Sequence, residues 1–163
     1  MLILLSLFLL FFQTTDLPPA KMSAVDFTAV KQGPIKNPGC IPLFSREITF
    51  RVKNRSDKTV YIQGLKTQSG HNPFGYLIRL DGERNQWLNF EGNTPHRTFK
   101  EFMTPVRAAY VPDVYVLAPG RSMTFNMLAR DEYLGSRVQR GIFVSFNQNE
   151  EPWMVTSEEF ILR

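Results

Sequence analysis

Two histidines, His71 and His96, and one cysteine, Cys40, are all that this 163-residue chain offers as imidazole or thiol ligands. A zinc site draws three or four ligands from His, Cys and carboxylate, and no local spacing gathers acids around either histidine. Cys40 sits among Pro38, Gly39 and Pro42, a setting without the helix N-terminus that lowers a thiol pKa. No G-x-S-x-G turn is present to expose a serine nucleophile. Glu158 and Glu159 are neighbours, so on a strand they point to opposite faces and do not converge. Glu150 and Glu151 precede Pro152 and read as a turn. Glycine-rich phosphate loops and acidic metal-binding repeats are missing from the sequence. These residues point away from an enzyme and toward a binding or structural module that uses no metal and no cofactor.

Binding chemistry has better candidates. Between Glu91 and Pro112, Pro95, Pro105 and Pro112 frame Arg97, Phe99, Lys100, Arg107 and Tyr110. Long connections in compact domains are often functional. Aromatic rings there supply contact area and cations steer anionic groups. The competing reading makes the stretch an extra edge hairpin with Phe99 and Phe102 in the core. A second candidate is His71, in the Gly70-His71-Asn72-Pro73-Phe74 loop. The expected partner is a protein, met through a loop or a sheet edge. A glycan stacked on Trp87, Trp153 or tyrosines is the alternative.

Composition narrows the setting. Hydrophobic residues make up 43% and charged residues 21%, an ordinary balance for one globular domain. The formal charge of +4 comes from basic residues interspersed with acids, which is no nucleic-acid signature. A single cysteine closes no internal disulfide, so stability must come from packing. Leu2 to Phe12 is an apolar run broken only by Ser6. As a helix it would rise about 16 Å, short of a hydrocarbon core of about 30 Å. Its length fits a secretory signal peptide over residues 1–20, cut near Ala20. No Lys or Arg precedes the run, and a start at Met22 would instead leave a cytosolic protein. The first reading predicts a secreted, periplasmic or bacterial envelope protein with no membrane span in the mature chain.

The elements that must hold these residues are strands. Residues 21–45, rich in Pro and Gly, read as an irregular entry with a short first strand at Val25 to Val30, ahead of a sandwich over 46–163. Glu47 to Lys53 alternates apolar and polar residues without a miss, the period of a half-buried strand. Asn54-Arg55-Ser56-Asp57-Lys58 is a turn cluster, and Val60 to Gln63 resumes the alternation. Asn54-Arg55-Ser56 is also a formal glycosylation sequon, though an Asx-type turn explains it better. Lys66 to Phe74 reads as a polar loop. Tyr76 to Leu80, Asp81-Gly82, then Gln86 to Phe90 with Trp87 as a core anchor, has the form of a hairpin. Val114 to Leu117 leads into Ala118-Pro119-Gly120-Arg121, a type II turn with Gly120 at positive φ. Ser122 to Met127, Gly141 to Phe146 and Glu159 to Leu162 complete the series. A modest helix is expected only at Ala129 to Val138. The pattern predicts an all-β, immunoglobulin-like antiparallel β-sandwich of about 7–9 strands.

Two stretches carry a resemblance. Val52-Lys53-Asn54-Arg55-Ser56-Asp57-Lys58-Thr59-Val60 and Leu117-Ala118-Pro119-Gly120-Arg121-Ser122-Met123-Thr124-Phe125 resemble bacterial immunoglobulin-like modules. In those, one strand ends in "N-x-S" and a later one is introduced by "L-x-P-G-x-S". With a Gly-Tyr strand and Trp87 between them, the layout is also similar to BsuPI-type proteinase-inhibitor domains. The resemblance spans roughly residues 47–146 and leaves 91–112 without a counterpart. It implies the sandwich fold, and secreted proteinase inhibition as a further alternative function.

Overall fold

The computed structural model describes residues 24–35, 44–67, 70–81, 84–88 and 112–163. Most of them lie in antiparallel strands. In chain order these are β1 (Val25–Pro34), β2 (Phe44–Asn54), β3 (Val60–Thr67), β4 (Gly70–Pro73), β5 (Gly75–Asp81), β6 (Arg84–Leu88), β7 (Asp113–Leu117), β8 (Ser122–Arg130), β9 (Arg137–Ser145), β10 (Trp153–Thr156) and β11 (Phe160–Ile161). The strands exceed the expected number because β4 and β10 are short pieces of four residues each that the sequence does not announce. The segment 1–20 read above as a signal peptide, Cys40 and His96 lie outside the described residues.

The strands form a 3-stranded sheet, ordered β1-β2-β8, and an 8-stranded sheet built on β4-β3-β9-β5-β6, with β7 beside β3 and both β10 and β11 beside β9. The chain crosses between sheets after β2, returns before β8 and crosses again before β9. β1, β2 and β8 opposite β3, β9 and β10 reproduce the A-B-E and C-F-G layers of an immunoglobulin-type sandwich. The inner faces share one core. Phe27, Ile48, Phe50, Val52, Phe125 and Met127 come from one sheet and Val60, Ile62, Val138, Ile142, Val144 and Trp153 from the other.

Local chemistry explains the boundaries. In β2 the alternation buries Ile48, Phe50 and Val52, and Arg51 stays exposed. In β8, Met123, Phe125, Met127 and Ala129 are buried between exposed Ser122, Thr124 and Asn126. Gly120 has φ 72° and the Arg121 N–H donates to the Ala118 carbonyl at 3.1 Å, the turn expected from Pro119-Gly120. The Asn54 side chain accepts the Ser56 N–H at 2.9 Å, so the sequon is an Asx turn. Asn54 is fully buried and out of reach of any modification of the folded protein.

Four expectations change. The first strand runs to Pro34, carried past Val30 by a register shift between Ala29 and Lys31 in its ladder with β2. The helix expected at Ala129 to Val138 is the end of β8, one 3-10 turn at Asp131–Tyr133 and the start of β9. With no apolar stripe, and with Gly135 at φ 80°, that segment turns instead of winding. The loop expected at Lys66 to Phe74 is largely ladder, because β3 runs to Thr67 and β4 pairs with it from Gly64↔Pro73 to Thr67↔Gly70. In the β5–β6 hairpin Asp81, expected as the first turn residue, instead pairs with Arg84 and closes the strand.

Candidate functional site

Arg97, Phe99, Lys100, Arg107 and Tyr110 lie outside the described residues, as does the choice between loop and hairpin for 91–111. His71 is described, and it is neither in a loop nor at the surface. It sits on β4, where its ring lies against the bare backbone of Gly64. A glycine inside a strand often marks such a close approach, and Gly64 is the signal available in the sequence. The His71 side chain is 5% exposed, and its Nδ1 is 3.6 Å from Asp113 Oδ2. That is an electrostatic contact, longer than a hydrogen bond. The Tyr115 ring is centred 5.5 Å away. β7 thus supplies both neighbours of the histidine, and Lys66 of β3 stands opposite it in the ladder.

Burial holds the His71 ring neutral, pushing its pKa below the usual imidazole value, while Asp113 opposes the shift through its charge. The folded-state pKa is therefore below that of the unfolded chain, and the unfolded chain takes up its proton first as pH falls. Stability should be flat above about pH 6.5 and decline as pH drops below it. Melting temperatures at pH 7.5 and 5.5 should separate for the native protein. They should converge for His71→Gln once the carboxylate contribution common to both is subtracted. An equal pH response in the two proteins would remove His71 as the cause.

β7 itself has an unusual surface. Tyr115 is 37% and Val116 54% exposed, two adjacent members of a short set of exposed large apolar residues. β7 pairs with β3 over Val60↔Leu117 to Gly64↔Asp113, and among the described residues its other edge has no strand beside it. Natural edges are blunted by proline, lysine, bulges or brevity. β1 carries a register shift, Lys31 and Pro34, and β11 is two residues long. β8 turns polar residues outward. β7 has none of these within Val114-Tyr115-Val116-Leu117.

A second polar group is buried on β9. Val138, Ile142 and Val144 line the core, and in the same row stands Arg140, 4% exposed. Its Nη2 donates to the Pro73 carbonyl at 3.0 Å, and its Nε is buried without a hydrogen-bond partner. Burial lowers its pKa to about 10, so it stays charged at neutral pH. Its backbone N–H donates to Ser157 Oγ at 2.9 Å.

No family model matches this chain. No curated protein matches it either. Among solved structures it is similar to a crystal structure of a protein provisionally named ApaA from Bordetella pertussis. The two share 15% identity over 85% of this chain and 93% of that one, with a TM-score of 0.46. No activity follows from a likeness at that level. Chemistry must come from the residues themselves, and among those described no group of three or more His, Cys, Asp or Glu could hold a metal ion. No helix among the described residues is long and apolar enough to cross a membrane. Trp153 is a core residue whose ring packs 5.0 Å from that of Phe146, so it is not available as a sugar-stacking platform.

Proposed function

We propose that this protein is a non-enzymatic binding module that takes an extended segment of a protein partner along the open edge of β7, in the secreted or envelope space that the apolar run at residues 2–12 points to. The observation that carries the reading is an edge that is unblunted among the described residues, with exposed Tyr115 and Val116 and backbone groups not used by β3. Strand addition gains main-chain hydrogen bonds for affinity and pockets for alternate side chains for specificity. Both come from the backbone and apolar surface that β7 offers.

Peptides selected from a displayed random library against the native protein should slow hydrogen exchange at the β7 amides. Val116→Lys should weaken them at least tenfold, about 1.4 kcal/mol, because a lysine on an edge opposes strand addition. Val116 is more than half exposed, so its replacement should leave the melting temperature within about 2 °C. Selected peptides that bind Val116→Lys equally well, or that protect another strand, would exclude β7 as the site.

A further inference from the structure

We infer that Arg140 forms a binding site for a small oxyanion, a carboxylate or phosphate group, where β9 meets the end of β4. This inference is independent of the β7 reading. An arginine presents five N–H donors, and burying its charge without a partner costs several kcal/mol. In this fold Pro73 accounts for one donor on Nη2, Nε has no partner, and no carboxylate among the described residues pairs with the guanidinium. A charge so placed is over-supplied with donors for a purely structural clip on one carbonyl.

Strand packing holds the guanidinium in place. Leu77 stands opposite Arg140 in the β5–β9 ladder and Gly75 opposite Ile142. A Cβ on Gly75 would collide with the Gly141 carbonyl, so glycine at this position lets β5 approach β9 closely beside Arg140. Two residues before Pro73, on the same side of β4, is His71, whose ring nitrogens are both buried without a hydrogen-bond partner. The Arg140 guanidinium meets the Pro73 carbonyl at the end of β4, and the His71 ring covers Gly64 on the side facing Asp113 and Tyr115. Guanidinium donors in a rigid fork match the oxygens of carboxylate and phosphate, which sets the ligand class.

The test uses acetate and inorganic phosphate as ligands, each compared with sodium chloride at equal ionic strength. One of the two should raise the melting temperature of the full chain by roughly 5 °C or more at saturation, and which one does so distinguishes a planar from a tetrahedral ligand. Arg140→Gln should lose that response. Because Arg140→Gln could fail to fold, the second measurement is made on the native protein. The Arg140 Nε–H resonance should shift and saturate with the stabilising anion. A shift that only follows ionic strength, or an Nε–H resonance that does not move with either anion, would leave Arg140 as a clip on Pro73 and overturn the site.

Discussion

Phe50→Ala is expected to remove about 3–5 kcal/mol of folding free energy, the range for a large buried aromatic truncated to a methyl group. Phe50 is fully buried on the central strand of the 3-stranded sheet, paired with Ala29 on one side and Phe125 on the other. Its ring stacks on Phe125 at 5.4 Å, lies 5.5 Å from Phe27 and meets Phe160 edge-on at 5.7 Å. Phe160 belongs to the opposite sheet, so Phe50 joins the two layers through ring contacts. Aromatic pairs add about 0.5–1.5 kcal/mol each beyond area burial, which places the loss toward the upper end. Urea denaturation should show the midpoint falling with an unchanged slope, since the surface exposed on unfolding is nearly the same. A loss below about 1.5 kcal/mol would mean that the neighbouring rings close over the gap, and that the sheets are not held together here.

Phe50 also shows why part of the fold is legible in the sequence. It lies in the strict alternation of residues 47–53, where each apolar residue is inward and the one-residue spacing fixes the face. Met123, Phe125 and Met127 repeat that logic. The turn at Pro119-Gly120 is legible because only one residue type tolerates its backbone without cost. β9 is harder. Val138, Ile142 and Val144 line the main core, whereas Phe143 joins a second cluster with Phe74, Tyr76 and Ile78. A strand buried on both faces has no alternation to read, so only Gly141 to Phe146 reads as a strand and its start at Arg137 is missed.

The candidate sites are legible only in part, for a related reason. Arginine and histidine read as surface residues because most are, and nothing next to Arg140 or His71 in sequence announces what covers them. Both are buried by pairings that join distant segments: β9 to β5, β4 to β3, and β3 to β7. Gly64 and Gly75 are the local hints, since a glycine inside a strand marks the approach of something close. β7 shows in the sequence as a short apolar run ahead of its turn. That Tyr115 and Val116 face outward follows from its place at the sheet edge, which depends on pairing with β3.

Asn54→Ala is the second large effect, expected at about 4 kcal/mol from one side chain with no apolar bulk to lose. The Asn54 amide uses its full capacity of two donors and two acceptor sites. Nδ2 donates to the Lys58 carbonyl at 2.7 Å and to the Leu117 carbonyl at 2.9 Å. Oδ1 accepts the Ser56 N–H at 2.9 Å and the Ser56 hydroxyl at 2.7 Å. Its backbone joins the same knot, with the N–H donating to the Arg121 carbonyl at 2.9 Å and the carbonyl accepting the Gly120 N–H at 3.1 Å. One residue therefore ties the β2–β3 turn to the end of β7 and to the turn that launches β8. Alanine would strand buried carbonyls, each costing about 1–3 kcal/mol when unpaired. Asn54→Asp separates this from a packing effect. It keeps the shape and the two acceptor bonds but sets a carboxylate against the Lys58 and Leu117 carbonyls, so at neutral pH it should be at least as destabilising as alanine. Thermal melts of the two variants decide the matter, with a drop of roughly 10 °C expected for each. An aspartate variant close to native stability would show that the two donated bonds contribute little, and that the turn is held by its backbone alone.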